Sequence, residues 1–165
     1  MCRSRIFSFV FAIFFIFSIA NIDIAIAGEN YKAHGTSYTV KWEQIEVGDE
    51  EGHIIGITES KQFYFNETTG EKHPSTSVGI MDINTKTGQA SGSGYGVSID
   101  KDGDKTFRTW EGKAVGKGHW KGTYSYVKGT GKFEGIKGGG TWDSYSVDPK
   151  LSYVEVEGET EIPKK

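Results

Sequence analysis

Glycine is the residue that most constrains this chain, and it is densest at residues 129–142, which read GTGKFEGIKGGGTW. The whole chain has 23 glycines but only 3 prolines, and the glycines are interspersed with aromatic and β-branched residues. A residue without Cβ lets a strand coil strongly and leaves room for a large ring on the neighbouring strand. Disordered segments are poor in aromatic and β-branched residues, so this pattern predicts curved antiparallel sheet and excludes disorder.

Alternation of apolar and polar residues predicts eight strands and no long helix. The predicted strands are residues 38–42, 54–65, 77–83, 89–99, 106–115, 120–127, 138–147 and 151–162. Turn sequences at residues 84–88, 100–103 and 148–149 separate consecutive strands. Eight strands with short connections predict an all-β fold, a meander that forms either a sandwich or a barrel.

The same alternation predicts which residues share a face. In the last strand Val154 and Val156 face one way and the glutamates at 155, 157, 159 and 161 face the other, as in a half-buried barrel wall. The first strand places three large apolar residues on one face: Tyr38, Val40 and Trp42. The second strand is less regular, because Glu59 shares a face with its apolar residues Ile57 and Phe63.

Two glycine clusters, residues 92–96 and 138–140, predict strand bends or room for inward-facing rings. The large rings expected to fill that room are Trp110, Trp120, Tyr124 and Trp142. Residues 132–136 interrupt the glycines and predict one helical turn, with Phe133 and Ile136 closing one end of the barrel.

The first 27 residues predict a cleaved secretory signal peptide. Arg3 and Arg5 precede an apolar run at residues 6–20, and residues 25–27, Ala-Ile-Ala, offer a cleavage site. The run is shorter than the roughly 20 residues that span a membrane, which argues against an anchor. Cleavage after Ala20 is the alternative. The sequence thus predicts export to the periplasm or the outside, with residues 28–165 as a single β-barrel domain.

The charge of residues 28–165 excludes several partners. The signal segment removes Arg3, Arg5 and Asp23 from the chain's 19 basic and 22 acidic residues, which leaves a mildly acidic domain. No basic stripe or cationic amphipathic helix is present, so we expect neither nucleic acid nor membrane insertion. Cys2 is the only cysteine and lies in the removed segment, so no disulfide or thiol site is expected. The oligomeric state cannot be inferred from the sequence.

The segment at 129–142 resembles the GTGkfeGikGsGt segment of allene oxide cyclase barrel-like proteins, which include bacterial exported members and, more distantly, the plant allene oxide cyclases. The resemblance is best over residues 88–162. It implies an eight-stranded antiparallel up-and-down β-barrel, similar to lipocalins, with an interior pocket for an apolar molecule. The plant enzymes use a glutamate and a water near one mouth. This sequence has no matching group of residues, because Glu59 lacks the polar residues that would accompany it. The resemblance therefore assigns no catalytic residue to this chain.

Other catalytic and metal-binding patterns are weak. The four histidines lie in separate segments without metal-ligand spacing, and no serine lies in a nucleophile elbow. Residues 100–104 resemble the start of a calcium loop, with Glu111 at position twelve, but strands flank them. Asn66-Glu67-Thr68 fits the N-glycosylation pattern if the host is eukaryotic. We expect no metal and no cofactor.

Three functions are compatible with these features. The first is a binding protein for a small apolar or amphipathic ligand, and the second is a barrel filled by its own side chains that serves a structural or interaction role. The third is an isomerase or cyclase that holds a reactive lipid in one conformation. The candidate ligand-binding residues are Trp42, Glu59, Arg108, Trp110, Trp120, Tyr124 and Trp142.

The predicted cleavage site makes the first testable prediction. N-terminal sequencing of the exported protein should begin at Gly28, because residues 25–27 place small side chains at the two positions that signal peptidase reads. A sequence that begins at Met1 would contradict the prediction, and one that begins at Asn21 would support the alternative cleavage site.

Overall fold

Eight antiparallel strands make up most of residues 28–163, which is the part of the chain that the computed structural model describes. The predicted signal peptide, residues 1–27, lies outside the described residues. The strands are β1 (Glu29–Glu46), β2 (His53–Asn66), β3 (Lys72–Asn84), β4 (Ala90–Ile99), β5 (Lys105–Gly116), β6 (His119–Gly129), β7 (Lys137–Ser146) and β8 (Leu151–Glu161). A short 3-10 helix, Gly131–Phe133, lies between β6 and β7.

The strands pair in sequence order and close into a barrel. Closure is made by β1 and β8, which pair antiparallel from Glu29 opposite Thr160 to Tyr38 opposite Leu151. Closure leaves no unpaired sheet edge, which an open sheet of this length would expose. The predicted all-β, eight-stranded antiparallel up-and-down barrel is confirmed. Among residues 28–163, no helix is long and apolar enough to cross a membrane.

The predicted turns form, and side-chain oxygens stabilise them. Asn84 Oδ1 accepts hydrogen bonds from the backbone N–H groups of Lys86 and Thr87, and Gly88 follows with φ +77°. Asp148 Oδ1 accepts from the N–H groups of Lys150 and Leu151. These are Asx-type turns, in which a short carbonyl side chain replaces a backbone acceptor.

Strand β1 differs most from its prediction, because it is much longer than residues 38–42 and contains a bulge. Thr39 pairs with Ser60 and Lys41 with Glu59, so Val40 is the extra residue. A bulge shifts the alternation of side chains by one residue. Tyr38 consequently faces outward, 47 % exposed, while the Trp42 ring packs inside against Gly56. The predicted shared face of Tyr38, Val40 and Trp42 is therefore wrong.

Glycines face large side chains inside the barrel. A Cβ on Gly112 or Gly122 would overlap the Trp142 ring, and a Cβ on Gly79 or Gly94 would overlap the Trp110 ring. Interior glycines therefore make room for tryptophans, as predicted from the sequence, both on the adjacent strand and on the strand beyond it.

The glycine cluster at 138–140 has one of its two predicted roles, a strand bend, and does not make room for a ring. A Cβ on Gly139 or Gly140 would overlap backbone atoms of neighbouring strands, at Tyr124 and Glu157 respectively, not a ring. Gly138 has φ +106°, a conformation that favours glycine. The cluster therefore bends the start of β7 and lets backbones approach. The predicted helical turn before it forms as a 3-10 helix, and Ile136 is 6 % exposed.

Substitution of an interior glycine tests this packing. Gly112→Ala should lower the free energy of unfolding by about 1–3 kcal/mol, because the new methyl group overlaps the Trp142 ring and the wall cannot relax without moving it. Gly116→Ala is the matched control in the same strand, since nothing lies within 4 Å of a Cβ built there. Urea unfolding followed by tryptophan fluorescence measures both, and equal effects of the two changes would contradict the proposed packing.

Candidate functional site

The barrel is hollow and encloses a cavity of about 730 Å³. Ligand pockets for small molecules commonly have volumes of 300–1,000 Å³. At one end, which we call the mouth, the cavity is lined by Trp42 and Trp120 and by Pro149 and Lys150 of the β7–β8 turn. At the other end, which we call the floor, it is lined by Arg108 and the tyrosines at 31, 64, 124 and 126.

Arg108 is the charged group of the floor, and neutral side chains hold its guanidinium. Nη1 donates to Ser98 Oγ at 2.7 Å, and Nη2 donates to Ser75 Oγ at 2.9 Å and to Gln62 Oε1 at 3.0 Å. The guanidinium carbon also lies 5.8 Å from the centre of the Tyr64 ring, in a cation–π contact. Because Gly96 lies opposite Arg108 on β4 and has no Cβ, the side chain crosses its inner face to reach these partners.

Burial sets the protonation of the floor tyrosines. It raises the pKa of Tyr31 and the pKa of Tyr124 well above the usual tyrosine range, and the Tyr126 hydroxyl adds to both shifts. Burial likewise raises the pKa of Tyr64 and the pKa of Tyr126, although the charge of Arg108 acts to lower both. All four hydroxyls are therefore protonated at neutral pH and can donate hydrogen bonds.

Tryptophan side chains make up the wall between floor and mouth. Trp110 follows Arg108 by two residues on β5, so both face inward, and its ring meets the Trp142 ring edge-on with 6.3 Å between centroids. Trp142 Nε1 donates to the Thr123 carbonyl oxygen at 3.2 Å. At the mouth, Trp42 Nε1 donates to Gln44 Oε1 at 2.8 Å, and the residue is 41 % exposed. The wall thus offers flat apolar faces whose positions are fixed by hydrogen bonds and packing.

The structure brings most of the sequence-predicted candidates together and separates one. Six of them line the cavity: Trp42, Arg108, Trp110, Trp120, Tyr124 and Trp142. Glu59 lies on the outer face of β2, where it forms an ion pair with Lys61 at 3.2 Å. The inward residues of β2 are Thr58, Ser60, Gln62 and Tyr64. Because the apolar residues of β2 share the face of Glu59, the alternation indicated the wrong face as the interior.

Sequence reasoning missed several residues of the floor, namely Tyr31, Gln62, Tyr64, Ser75, Ser98 and Tyr126. Tyr31 was missed because it precedes the predicted start of the first strand. The serines and Gln62 were missed because polar residues were assigned to the outside. One signal in the sequence could have identified Gln62 and Tyr64. The even positions of residues 58–64 share one face of the strand, opposite to the face of Ile57 and Phe63, which are about half exposed.

No carboxylate or imidazole of residues 28–163 lines this cavity. The histidines pair with acids elsewhere: His53 Nδ1 with Asp49 Oδ1 at 2.7 Å and His119 Nε2 with Asp143 Oδ1 at 2.8 Å. Among residues 28–163, no group of three or more His, Cys, Asp or Glu side chains could hold a metal ion. Acid–base groups with a pKa near neutrality are therefore absent from the lining.

The two motif-like loops have structural roles in the described part of the chain. Asp100 Oδ1 accepts from the backbone N–H groups of Asp102 and Asp104, and its other oxygen forms an ion pair with Lys132. A lysine therefore occupies the position that a calcium ion would need. Asn66 is 7 % exposed and its Oδ1 accepts from the N–H groups of Thr68 and Thr69, so the asparagine of the sequon is buried in a turn.

Two solved structures have a similar fold. The pterocarpan synthase dirigent protein PsPTS1 matches with a TM-score of 0.54, over 85 % of this chain and 99 % of that chain, at 11 % identity. The pterocarpan synthase dirigent protein GePTS1 matches with a TM-score of 0.53, over 86 % of this chain and 89 % of that chain, at 13 % identity. No protein-family model and no curated protein matches the chain. At these identities the likeness shows the barrel fold, which the resemblance to allene oxide cyclase barrel-like proteins also implied.

The protonated floor makes a prediction about alkaline stability. An unfolded tyrosine ionises near pH 10, whereas the folded-state pKa of Tyr31 is raised, so above pH 10 the unfolded chain binds fewer protons than the folded barrel. The stabilisation from Tyr31 is therefore fully present below pH 10 and is lost as the pH rises further. Tyr31→Phe should make the decline of the free energy of unfolding above pH 10 less steep in urea titrations.

Tyr95→Phe is the matched control, because Tyr95 is 63 % exposed on the outer face of β4. Both variants lose one hydroxyl and keep the ring, so lysine ionisation affects them equally. Identical pH slopes for wild type and Tyr31→Phe would contradict the assignment of Tyr31 to a desolvated floor.

Proposed function

We propose that this barrel binds a small apolar or amphipathic molecule in its interior. The observation that carries the proposal is the cavity of about 730 Å³, which combines a tryptophan wall with a floor of hydrogen-bond donors. Such a combination of apolar surface and a few convergent polar groups is typical of ligand sites. A barrel filled by its own side chains would leave no space of this size, so the binding function is favoured over a purely structural one.

A binding role is also favoured over acid–base catalysis. The described part of the chain contributes no carboxylate or imidazole to the lining, and burial raises the pKa of Tyr124 further from neutrality. An efficient general acid or base needs a pKa near the working pH. We therefore assign binding and no acid–base reaction to this cavity.

The remaining parts of the proposal rest on the sequence. We propose that residues 1–27 direct export and that the chain is related to allene oxide cyclase barrel-like proteins, supported by the segment at 129–142. The interior ligand is the partner we propose, and the acidic charge balance argues against nucleic acid.

Native mass spectrometry of protein purified from its own host tests the proposal directly. We expect a mass above that of the polypeptide, and organic extraction should release the bound molecule. A second test uses the neutral fluorophore N-phenyl-1-naphthylamine, which should bind with increased emission and receive energy from the tryptophan wall. Absence of both a retained molecule and fluorophore binding would contradict the proposed function.

A substitution that fills the cavity should abolish fluorophore binding. Thr58 lines the cavity, so Thr58→Trp places a large ring in it and should weaken binding at least about tenfold, because the ligand loses apolar contact area. Thr141→Trp is the matched control, since Thr141 is exposed on the outer face of β7. Circular dichroism confirms folding of both variants. Equal affinities would place the fluorophore outside the barrel and contradict the assigned site.

A further inference from the structure

Arg108 is a cation without an anionic partner in the described part of the chain. Its three hydrogen-bond acceptors, Ser75, Ser98 and Gln62, are all neutral. No aspartate or glutamate of residues 28–163 lines the cavity, whereas Lys150 lines its mouth beside Lys41, which is paired with Glu43 at 3.1 Å. The interior is thus positively charged, although the whole chain carries a net charge of −3. A charge removed from water is costly unless it is paired, so the floor is poised to accept an anion.

The position of Gln62 reinforces this point. Gln62 Oε1 accepts from Arg108 Nη2 at 3.0 Å, so a glutamate of nearly the same shape at position 62 would form an interior ion pair. The amide instead fixes the guanidinium by a hydrogen bond and leaves its charge uncompensated. The hydrogen bond to Gln62 thus orients the Arg108 guanidinium, and its positive charge remains available to an anionic ligand.

The remaining donors of the floor suit a carboxylate. A guanidinium has five N–H groups, and the hydrogen bonds to the three neutral acceptors and to the Tyr64 hydroxyl leave one for a ligand. The hydroxyls of Tyr31 and Tyr126 line the same end of the cavity and are protonated donors. One cation surrounded by neutral donors matches a single negative charge.

The tryptophan wall defines the rest of the ligand. Trp110 is the next inward residue after Arg108 on β5, and Trp142 packs against it, so apolar surface begins directly above the floor. The wall continues to Trp42 and Trp120 at the mouth. A molecule that occupies this space has its polar group at the floor and its apolar body along the wall.

We propose that the ligand of this cavity is an amphipathic carboxylic acid bound as the anion, with its carboxylate at Arg108 and a flat apolar body against Trp110 and Trp142. This inference rests on the proposed binding function and names the chemical class of the ligand. It makes Arg108 and Gln62 the residues that determine specificity, and it predicts discrimination against a neutral analogue of the same shape.

The test compares 3-(2-naphthyl)propanoate with 3-(2-naphthyl)propanamide, which differ only in the acid group, by isothermal titration calorimetry at pH 7. Wild-type protein should bind the acid at least about tenfold more tightly than the amide, because charge-assisted hydrogen bonds to the guanidinium are lost in the amide. Gln62→Glu should reduce this ratio to near one by pairing Arg108 internally. Arg108→Gln should do the same, and Arg108→Lys should restore part of the preference.

Lys113→Gln is the control for long-range attraction, because Lys113 carries the same charge on the same strand but is exposed outside the cavity. The ratio should persist in this variant. Equal binding of acid and amide by wild type would overturn the proposal, even if the Arg108 variants failed to fold. So would a ratio that falls equally in Lys113→Gln and Gln62→Glu. Binding of N-phenyl-1-naphthylamine without any preference for the acid would overturn the ligand class alone, whereas failure of all three compounds to bind would overturn the proposed function.

Discussion

The pairing of β1 with β8 is the contact on which the rest of this structure depends. It joins strands from opposite ends of the described chain, and it turns a meander into a closed wall with an inside and an outside. An open sheet would leave its two outer strands unpaired. Once the wall is closed, alternate side chains of every strand must point into a confined space, and their sizes decide whether that space is filled or hollow.

In this barrel the inward positions combine very large and very small side chains, and the result is a cavity. Tryptophans lie over glycines of the next two strands, as Trp142 of β7 lies over Gly122 of β6 and Gly112 of β5, so the rings flatten against the wall. Serines such as Ser60 and Ser77 line much of the rest. No side chain of the described residues is both large and less than 2 % exposed, so stability comes from the hydrogen-bonded wall and its layer of rings more than from a solid core.

The barrel has apolar side chains on its outer surface and polar side chains on its inner surface, and this explains why some residues were assigned to the wrong face from the sequence. Outward residues include Ile57, Ile80 and Tyr95, each more than half exposed, while Arg108 and Gln62 face inward. Alternation locates strands without regard to which face is buried, so the strand positions and the fold class were predictable. The choice of face on β2 was not, because its apolar side is the outer one, and Glu59 was assigned to the interior for that reason. The bulge at Val40 had no signal in the sequence, and it alone brings Trp42 inside.

The sequence by itself determined the number and order of the strands, the turns at Asn84 and Asp148, and the use of interior glycine beside large rings, because these depend on local periodicity and backbone conformation. Only the tertiary structure decided which face of each strand is the interior. In the closed barrel the inward side chains of all strands share one confined space, and their sizes must fit together there. The tertiary structure also decided the environment of Arg108. The partners of that side chain come from β2, β3 and β4, and residues distant in sequence meet only when the barrel is closed.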